Sequence, residues 1–340
     1  MTIKESKNRK RLRLLLSFLI TGGLLGFSWG YFDNLIVKLV QNTNSSDQSI
    51  LTWLTNALPR YNQSYTSKVK PEQSSTTSRL DASLPNPEVL TMDGSVTTVT
   101  LVMKLQRSYK YLVNPSITTT YGIPDGRPHG TNSGIQHLID GKVLMAASSR
   151  SLKAKELKSG LVGVPIARDA IAIAVSINNP YKGGLTMRQL KDIFQGKITN
   201  WSQVGGPNLP IKVINRSPDS GTYTFFKEAV LFGQPFAPDS KNFQTVVQDE
   251  TTPILRALGN NGIGYSTVTQ IENQKTVRII PIDGMSPKDT DLVKNGTYPI
   301  SRVIYLVVPR QTSPVVKEFA DFAQSSPGQK AVKETGFLPL

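Results

Sequence analysis

The chain has 340 residues, 38% hydrophobic and 19% charged, enough for two globular lobes of ordinary size plus extra segments. It contains no cysteine, which excludes disulfides, zinc–thiolate sites and cysteine nucleophiles. Its two histidines, His129 and His137, have no acidic companion at ligand spacing, and its net charge of +15 comes without a base-stacking aromatic string or a recognition helix. A His-based metal centre, a Ser-His-Asp triad and a nucleic-acid partner are therefore not expected.

Residues 1–13 carry six basic side chains and one acidic one, and read as a cytoplasmic tail. Residues 14–32 are uncharged and long enough to cross a bilayer as a helix. Ser28-Trp29-Gly30 is a poor cleavage site, so an uncleaved anchor is favoured over a signal peptide. Residues 33–88 are rich in Ser, Thr, Asn and Gln and read as a flexible linker that buries too little apolar surface to offset its ordering entropy.

From residue 89 the pattern is α/β. A strand is expected at Val96–Val102 and a helix start at Ser133–Leu138. Val143–Ala147 reads as a short strand, and Pro165–Ile177 as a long strand buried in a mostly parallel sheet. Leu185–Phe194 has the spacing of an amphipathic helix, with Thr186 as N-cap and Gly196 as the left-handed stop. Ile211–Ile214 is a strand that feeds Arg216-Ser217-Pro218-Asp219-Ser220-Gly221-Thr222, which opens a helix. Free N–H groups and the positive helix end sit at such a turn. Ser220 and Thr222 add hydroxyl donors, Gly221 allows close approach, and Arg216 offers a planar fork, so the turn reads as an anion-binding corner. The plain alternative is a capped helix behind a surface arginine. Tyr298–Val308 is a second long strand, and one helix closes the chain from about Ser313 to Thr335. No carboxylate pair has a spacing that argues for acid–base catalysis.

Four strings in this order resemble the phosphate-binding proteins of ABC transporters, the PstS-type periplasmic substrate-binding family. They are Leu185 to Trp201, with its G-K-I-x-x-W turn; the Arg216–Thr222 loop; Gly262-Ile263-Gly264-Tyr265; and the tail from Phe322 to Leu340. The resemblance covers 89–340 and implies a two-lobe class II periplasmic-binding-protein fold. Its lobes would be 89–172 plus 303–340 and 173–302, with hinge crossings at about 170–177 and 298–305. It implies that Arg216, Ser220, Gly221 and Thr222 bind phosphate from the second lobe. From the first lobe it offers Ser95 and Thr97, with Thr98 in another register, then Ser133 and Gly134. Ala147-Ser148-Ser149-Arg150-Ser151-Leu152 stands where many members read A-S-D-x-P-L, so the hydroxyls of Ser148 and Ser149 replace the aspartate and Arg150 adds a cation. That family aspartate accepts the proton of hydrogen phosphate, and its loss weakens the rejection of sulfate. Pro218 also displaces the aspartate that usually braces the loop arginine, and Arg216→Ala is expected to abolish binding with the fold intact.

The function implied is extracytoplasmic capture of inorganic phosphate, or a similar tetrahedral oxyanion, by a monomer that delivers it to ABC permease subunits. The predicted anchor would hold it as a single-pass inner-membrane protein with the binding domain in the periplasm. A tethered phosphate sensor or scaffold with another membrane partner is the alternative. Neither catalytic residues nor a cofactor or metal are expected.

Overall fold

The computed structural model describes residues 76–123 and 125–340; the tail 1–13, the predicted span 14–32 and the linker as far as residue 75 lie outside the described residues. Among the described residues no helix is long and apolar enough to cross a membrane.

The first lobe opens with β1 (Val89–Gly94), α1 (Val99–Leu112), β2 (Thr118–Tyr121), α2 (Thr131–Ile139), β3 (Met145–Ser148), α3 (Ala154–Lys158) and β4 (Leu161–Ser176). The second contains α4 (Met187–Phe194), β5 (Lys212–Asn215), α5 (Gly221–Ala229), β6 (Phe243–Thr245), α6 (Thr251–Arg256), β7 (Gly262–Thr267), α7 (Val268–Glu272), β8 (Val277–Ile280) and α8 (Thr290–Lys294). The chain then returns through β9 (Ser301–Pro309) to α9 (Pro314–Gln324) and α10 (Ser326–Glu334).

The strand order is β2-β1-β3-β9-β4-β7-β5-β6, with β8 also on β4. β4 belongs to both lobes. It pairs with β9 as far as Ala170↔Ser301, then with β7 from Ile171 and with β8 from Ile173. Every residue from Asp169 to Val175 is buried, which explains a run that is apolar on both faces. All three partners are antiparallel to β4, not parallel as the run suggested. Burial on both faces sets the composition, and strand direction leaves no trace in it.

Alternation along the strands sends neighbouring side chains to opposite faces, each covered by helices. In the first lobe Met145, Ala147, Leu306 and Val308 pack with α1, α9 and α10, while Ala146 and Val307 pack with Ile135 and Leu138 of α2. In the second, Ile171 and Ile173 pack with Phe194 and Phe226, while Ala172 and Ala174 pack with Ile254, Leu255 and Ile271. Each fully buried Ile, Leu, Val or Phe side chain stabilises the fold by about 1.5–3 kcal/mol.

Several expectations change. The strand expected at Val96–Val102 is a helical turn followed by α1, and the strand lies earlier, at Val89–Gly94. Leu101, Val102, Leu105 and Tyr109 recur at helical spacing and are all buried. The closing helix is two helices. Ser325 is extended between them and its hydroxyl accepts from the Gly328 N–H, so it caps the second. Residues 76–88, read as linker, are folded against the first lobe. Leu80 joins its core, the Asp81 N–H bonds to the Arg310 carbonyl, and the Asn86 side chain accepts from the Val315 N–H. The 187–194 helix forms as expected, with Thr186 accepting from the Gln189 N–H and Gly196 at φ +72°.

Candidate anion-binding site

Three helix starts meet where the lobes face each other. A Cβ on Gly221, at the start of α5, would lie 2.3 Å from the Thr131 hydroxyl and 2.5 Å from that of Ser149. Thr131 opens α2, and Ser149 follows β3. The Thr131 hydroxyl also accepts from the Ser149 N–H at 3.2 Å. Thr97 lies in the turn that leads into α1 and shares a 2.8 Å hydrogen bond with Ser95. Positive helix ends and hydroxyls therefore converge on one point.

The centre of this cluster is Arg302, which sequence reasoning missed. Its guanidinium donates to the Thr222 hydroxyl at 2.8 Å, the Ser149 carbonyl at 3.1 Å and the Thr97 hydroxyl at 3.5 Å. It thus touches three of the predicted ligand residues, from both lobes. Its counter-charge is Asp169, at 2.8 Å from Nε and 2.7 Å from Nη2. The two residues are register partners on β9 and β4, just before β4 passes from β9 to β7 and β8. Burial pulls the Arg302 guanidinium below its ordinary value, and Asp169 opposes that shift. An arginine remains cationic in proteins at neutral pH. The signal in the sequence was a pair of opposite charges inside the two longest apolar runs.

Arg216 is fully buried, and four donor contacts are satisfied by protein. Nε donates to Ser220 at 3.0 Å, Nη1 to Thr251 and Ser266 at 3.1 and 3.3 Å, and Nη2 to Asp249 at 2.5 Å. Asp249 supplies the brace that Pro218 removed from the loop. The Ser220 hydroxyl accepts from Arg216 and from the Thr222 N–H, so it caps α5 and holds the arginine together.

Arg150 is turned away from the cluster. All five of its N–H groups have partners: Nε and Nη2 on Asn132, Nη1 on Ser151, and both Nη atoms on Glu156. It braces Asn132, which in turn crosses to the second lobe. The Asn132 N–H bonds to the Asp219 carbonyl at 3.0 Å and its side chain to the Pro218 carbonyl at 2.7 Å. Those cross-lobe bonds define a closed arrangement. The Ser148 hydroxyl is committed to the Arg150 carbonyl. The Gly134 N–H is used inside α2, on the Gly130 carbonyl, and a Cβ there would strike Gly94 at 2.3 Å. Gly134 therefore serves close packing, and Ser133 is half-buried beside it. Thr98 turns back to the Ser95 carbonyl. The structure gathers Thr97, Ser149, Gly221 and Thr222 around Arg302, with Ser95 and Ser220 one bond behind; Arg150, Ser148 and Gly134 hold the frame.

The histidines do have an acidic companion. Asp93, at the end of β1, meets His137 Nδ1 at 2.7 Å and His129 Nδ1 at 3.2 Å. The expectation of none was drawn from local spacing, and Asp93 lies 36 and 44 positions away.

Two outcomes follow from this geometry. Gly221→Ala places a methyl against Thr131 and Ser149, an overpacking cost of about 1–3 kcal/mol felt only when the lobes are closed. Anion affinity is expected to fall roughly 5- to 150-fold by calorimetry, with little change in the thermal midpoint of the free protein. Burial acts to raise the Glu156 carboxyl, but the Arg150 hydrogen bonds and the Lys153 N–H outweigh it, and the net value is below the ordinary one of 4.5. The stabilisation is then complete above about pH 4.5 and is lost as pH falls through the lower folded value. Acid-unfolding curves should show this loss, and Glu156→Gln should flatten it.

A family model for a PBP superfamily domain matches residues 81–327. Protein SphX of Synechococcus elongatus is 30% identical over 275 residues, 74% of this chain and 77% of the relative. Phosphate-binding protein PstS of Pseudomonas aeruginosa is 31% identical over 239 residues, 62% of this chain and 72% of the relative. A Clostridium perfringens protein, assigned as a phosphate ABC transporter substrate-binding protein and solved with bound phosphate, superposes with a TM-score of 0.64. It is 27% identical, and the match covers 74% of this chain and 99% of that one.

Proposed function

This chain belongs to the PBP superfamily, among the phosphate-binding proteins of ABC transporters, and on that premise we propose that its cleft captures inorganic phosphate outside the cytoplasm for delivery to a transporter. The observation that carries this reading is Arg302, a buried guanidinium held against Thr97, Ser149 and Thr222 where three helix starts converge. A tetrahedral oxyanion entering there meets N–H groups from α5, hydroxyls from both lobes and one cationic fork. Charge-assisted hydrogen bonds contribute about 1.5–3 kcal/mol each, so a handful suffices for micromolar affinity.

The order of events is that of a closing cleft. The anion meets the first-lobe hydroxyls and Arg302, and the second lobe brings Gly221 and Thr222 over it. The Asn132 bonds to Pro218 and Asp219 then latch the lobes. Burial of the charge strengthens every contact because water is excluded. With Ser149 at the aspartate position, the proton of hydrogen phosphate is met by a hydroxyl, which accepts as well as donates. Selectivity against sulfate is therefore weaker than a carboxylate would give. Residues 14–32 would anchor the protein in the inner membrane with the binding domain in the periplasm.

Calorimetric titration of the full-length protein in detergent with phosphate, sulfate, molybdate and a phosphate monoester tests the reading. Saturable one-site heat with phosphate, and no product released from the monoester, is the expected result. No heat with any of the oxyanions contradicts it.

A further inference from the structure

The cluster of Asp93, His129 and His137 lies behind the anion site and takes no direct part in it. Asp93 is fully buried, and its Oδ1 is fixed by the N–H groups of Gly94 at 2.7 Å and His129 at 3.1 Å. That leaves Oδ2 facing the two imidazoles, whose Nδ1 atoms both point at it. One ligand atom from each of the three residues lies within 4.8 Å of the others. His129 comes from the loop before α2 and His137 from its last turn, so two separate elements deliver the rings to one carboxylate. The rings meet edge to face, 5.5 Å apart at 73° to each other.

We propose that Asp93, His129 and His137 form a binding site for a divalent transition ion of the zinc type. Two imidazole nitrogens and one carboxylate oxygen are a donor set that zinc accepts, with water as the fourth ligand. Zinc–nitrogen and zinc–oxygen bonds of about 2.0–2.2 Å place tetrahedral donors roughly 3.3–3.5 Å apart. The observed 2.7 and 3.2 Å contacts open to that spacing by small rotations of the imidazoles. His129 is 38% exposed and His137 23%, so an ion and its water have access from one side. The backbone bonds on Asp93 Oδ1 are the outer support that orients a ligating carboxylate. Asp125 and Asp140 stand near His129 and His137 and add negative potential around the entrance, with Arg127 and Lys142 as the opposing charges.

A bound ion would have a structural consequence. It ties the end of β1 to the loop before α2, already joined by the Gly130 N–H to Gly94 carbonyl bond. Ser95 and Thr131 are the next residues along those segments and both border the anion cluster. The metal would stiffen two of its walls.

The chain has only these two histidines and no cysteine, so an imidazole-bound ion has no other home in it. The test uses the full-length protein in detergent, stripped with chelator and kept in phosphate-free buffer. Equilibrium dialysis against Zn²⁺ should give one equivalent bound at micromolar free metal, with a raised melting midpoint. Co²⁺ in its place should give the visible absorption of a tetrahedral site. His129→Gln and His137→Gln should each weaken Zn²⁺ at least tenfold and remove the Co²⁺ bands, with circular dichroism reporting that both variants are folded. Wild-type protein that binds no Zn²⁺ under these conditions overturns the proposal and leaves a hydrogen-bonded brace. Binding that survives in both histidine variants overturns it equally.

Discussion

Arg302→Met is expected to lower phosphate affinity at least about a hundredfold. Exchanging the Thr97 and Thr222 hydroxyl contacts of Arg302 for two charge-assisted hydrogen bonds to phosphate oxygens, at about 1.5–3 kcal/mol each, corresponds to a loss of that size or larger. The substitution also strands Asp169, which is 4% exposed and keeps only its bond from the Thr267 hydroxyl. Stability should fall with affinity in the single variant. Arg302→Met with Asp169→Asn removes the stranded charge, so the melting midpoint should recover while the affinity does not. Arg302→Lys keeps a charge beside Asp169 and loses the fork, and it should bind at an intermediate level. Calorimetry and thermal melts on the three variants separate the two effects. An Arg302→Met protein that binds within about threefold of wild type would sink the assignment.

Arg216→Ala carries the second large effect, and here the structure changes the expectation. The sequence suggested loss of binding with the fold intact. Asp249 is 3% exposed in its side chain and ion-paired to Arg216, so removing the arginine leaves an unpaired buried carboxylate. That costs about 3–5 kcal/mol. Urea unfolding should show a lower midpoint with an unchanged slope. Arg216→Met combined with Asp249→Leu should restore most of the stability by removing the stranded charge. If the single variant unfolds at the wild-type midpoint, Asp249 is not the brace that its 2.5 Å contact implies.

What the sequence made legible was local. The Thr186 cap, the Gly196 stop and the helix opened by Ser220 follow from residues within four positions of one another, and all three appear as read. The long apolar runs marked the two longest strands, β4 and β9. The misplaced strand at Val96–Val102 shows the limit: Val96, Val99 and Val102 satisfy a β-branched run and a helical face equally. The site was legible only in part for a different reason. Arg302 pairs with Asp169, Arg216 with Asp249, and the two histidines with Asp93, across 133, 33 and up to 44 positions. Such partners are set by sheet register and lobe packing, not by local spacing. The same limit applies to Arg150. Its place in the motif suggested a ligand, and only the folded positions of Asn132 and Glu156 show that its donors are spent.

The position of bound phosphate is the most direct test of the Arg302 site. A crystal structure of the full-length protein grown with saturating phosphate should show the anion between Thr97, Ser149, the α5 start at Gly221 and Thr222, and the Arg302 guanidinium, with Asn132 still latched to Pro218 and Asp219. Phosphate bound elsewhere, with Arg302 contacting only Asp169 and the three hydroxyl loops apart, would contradict it.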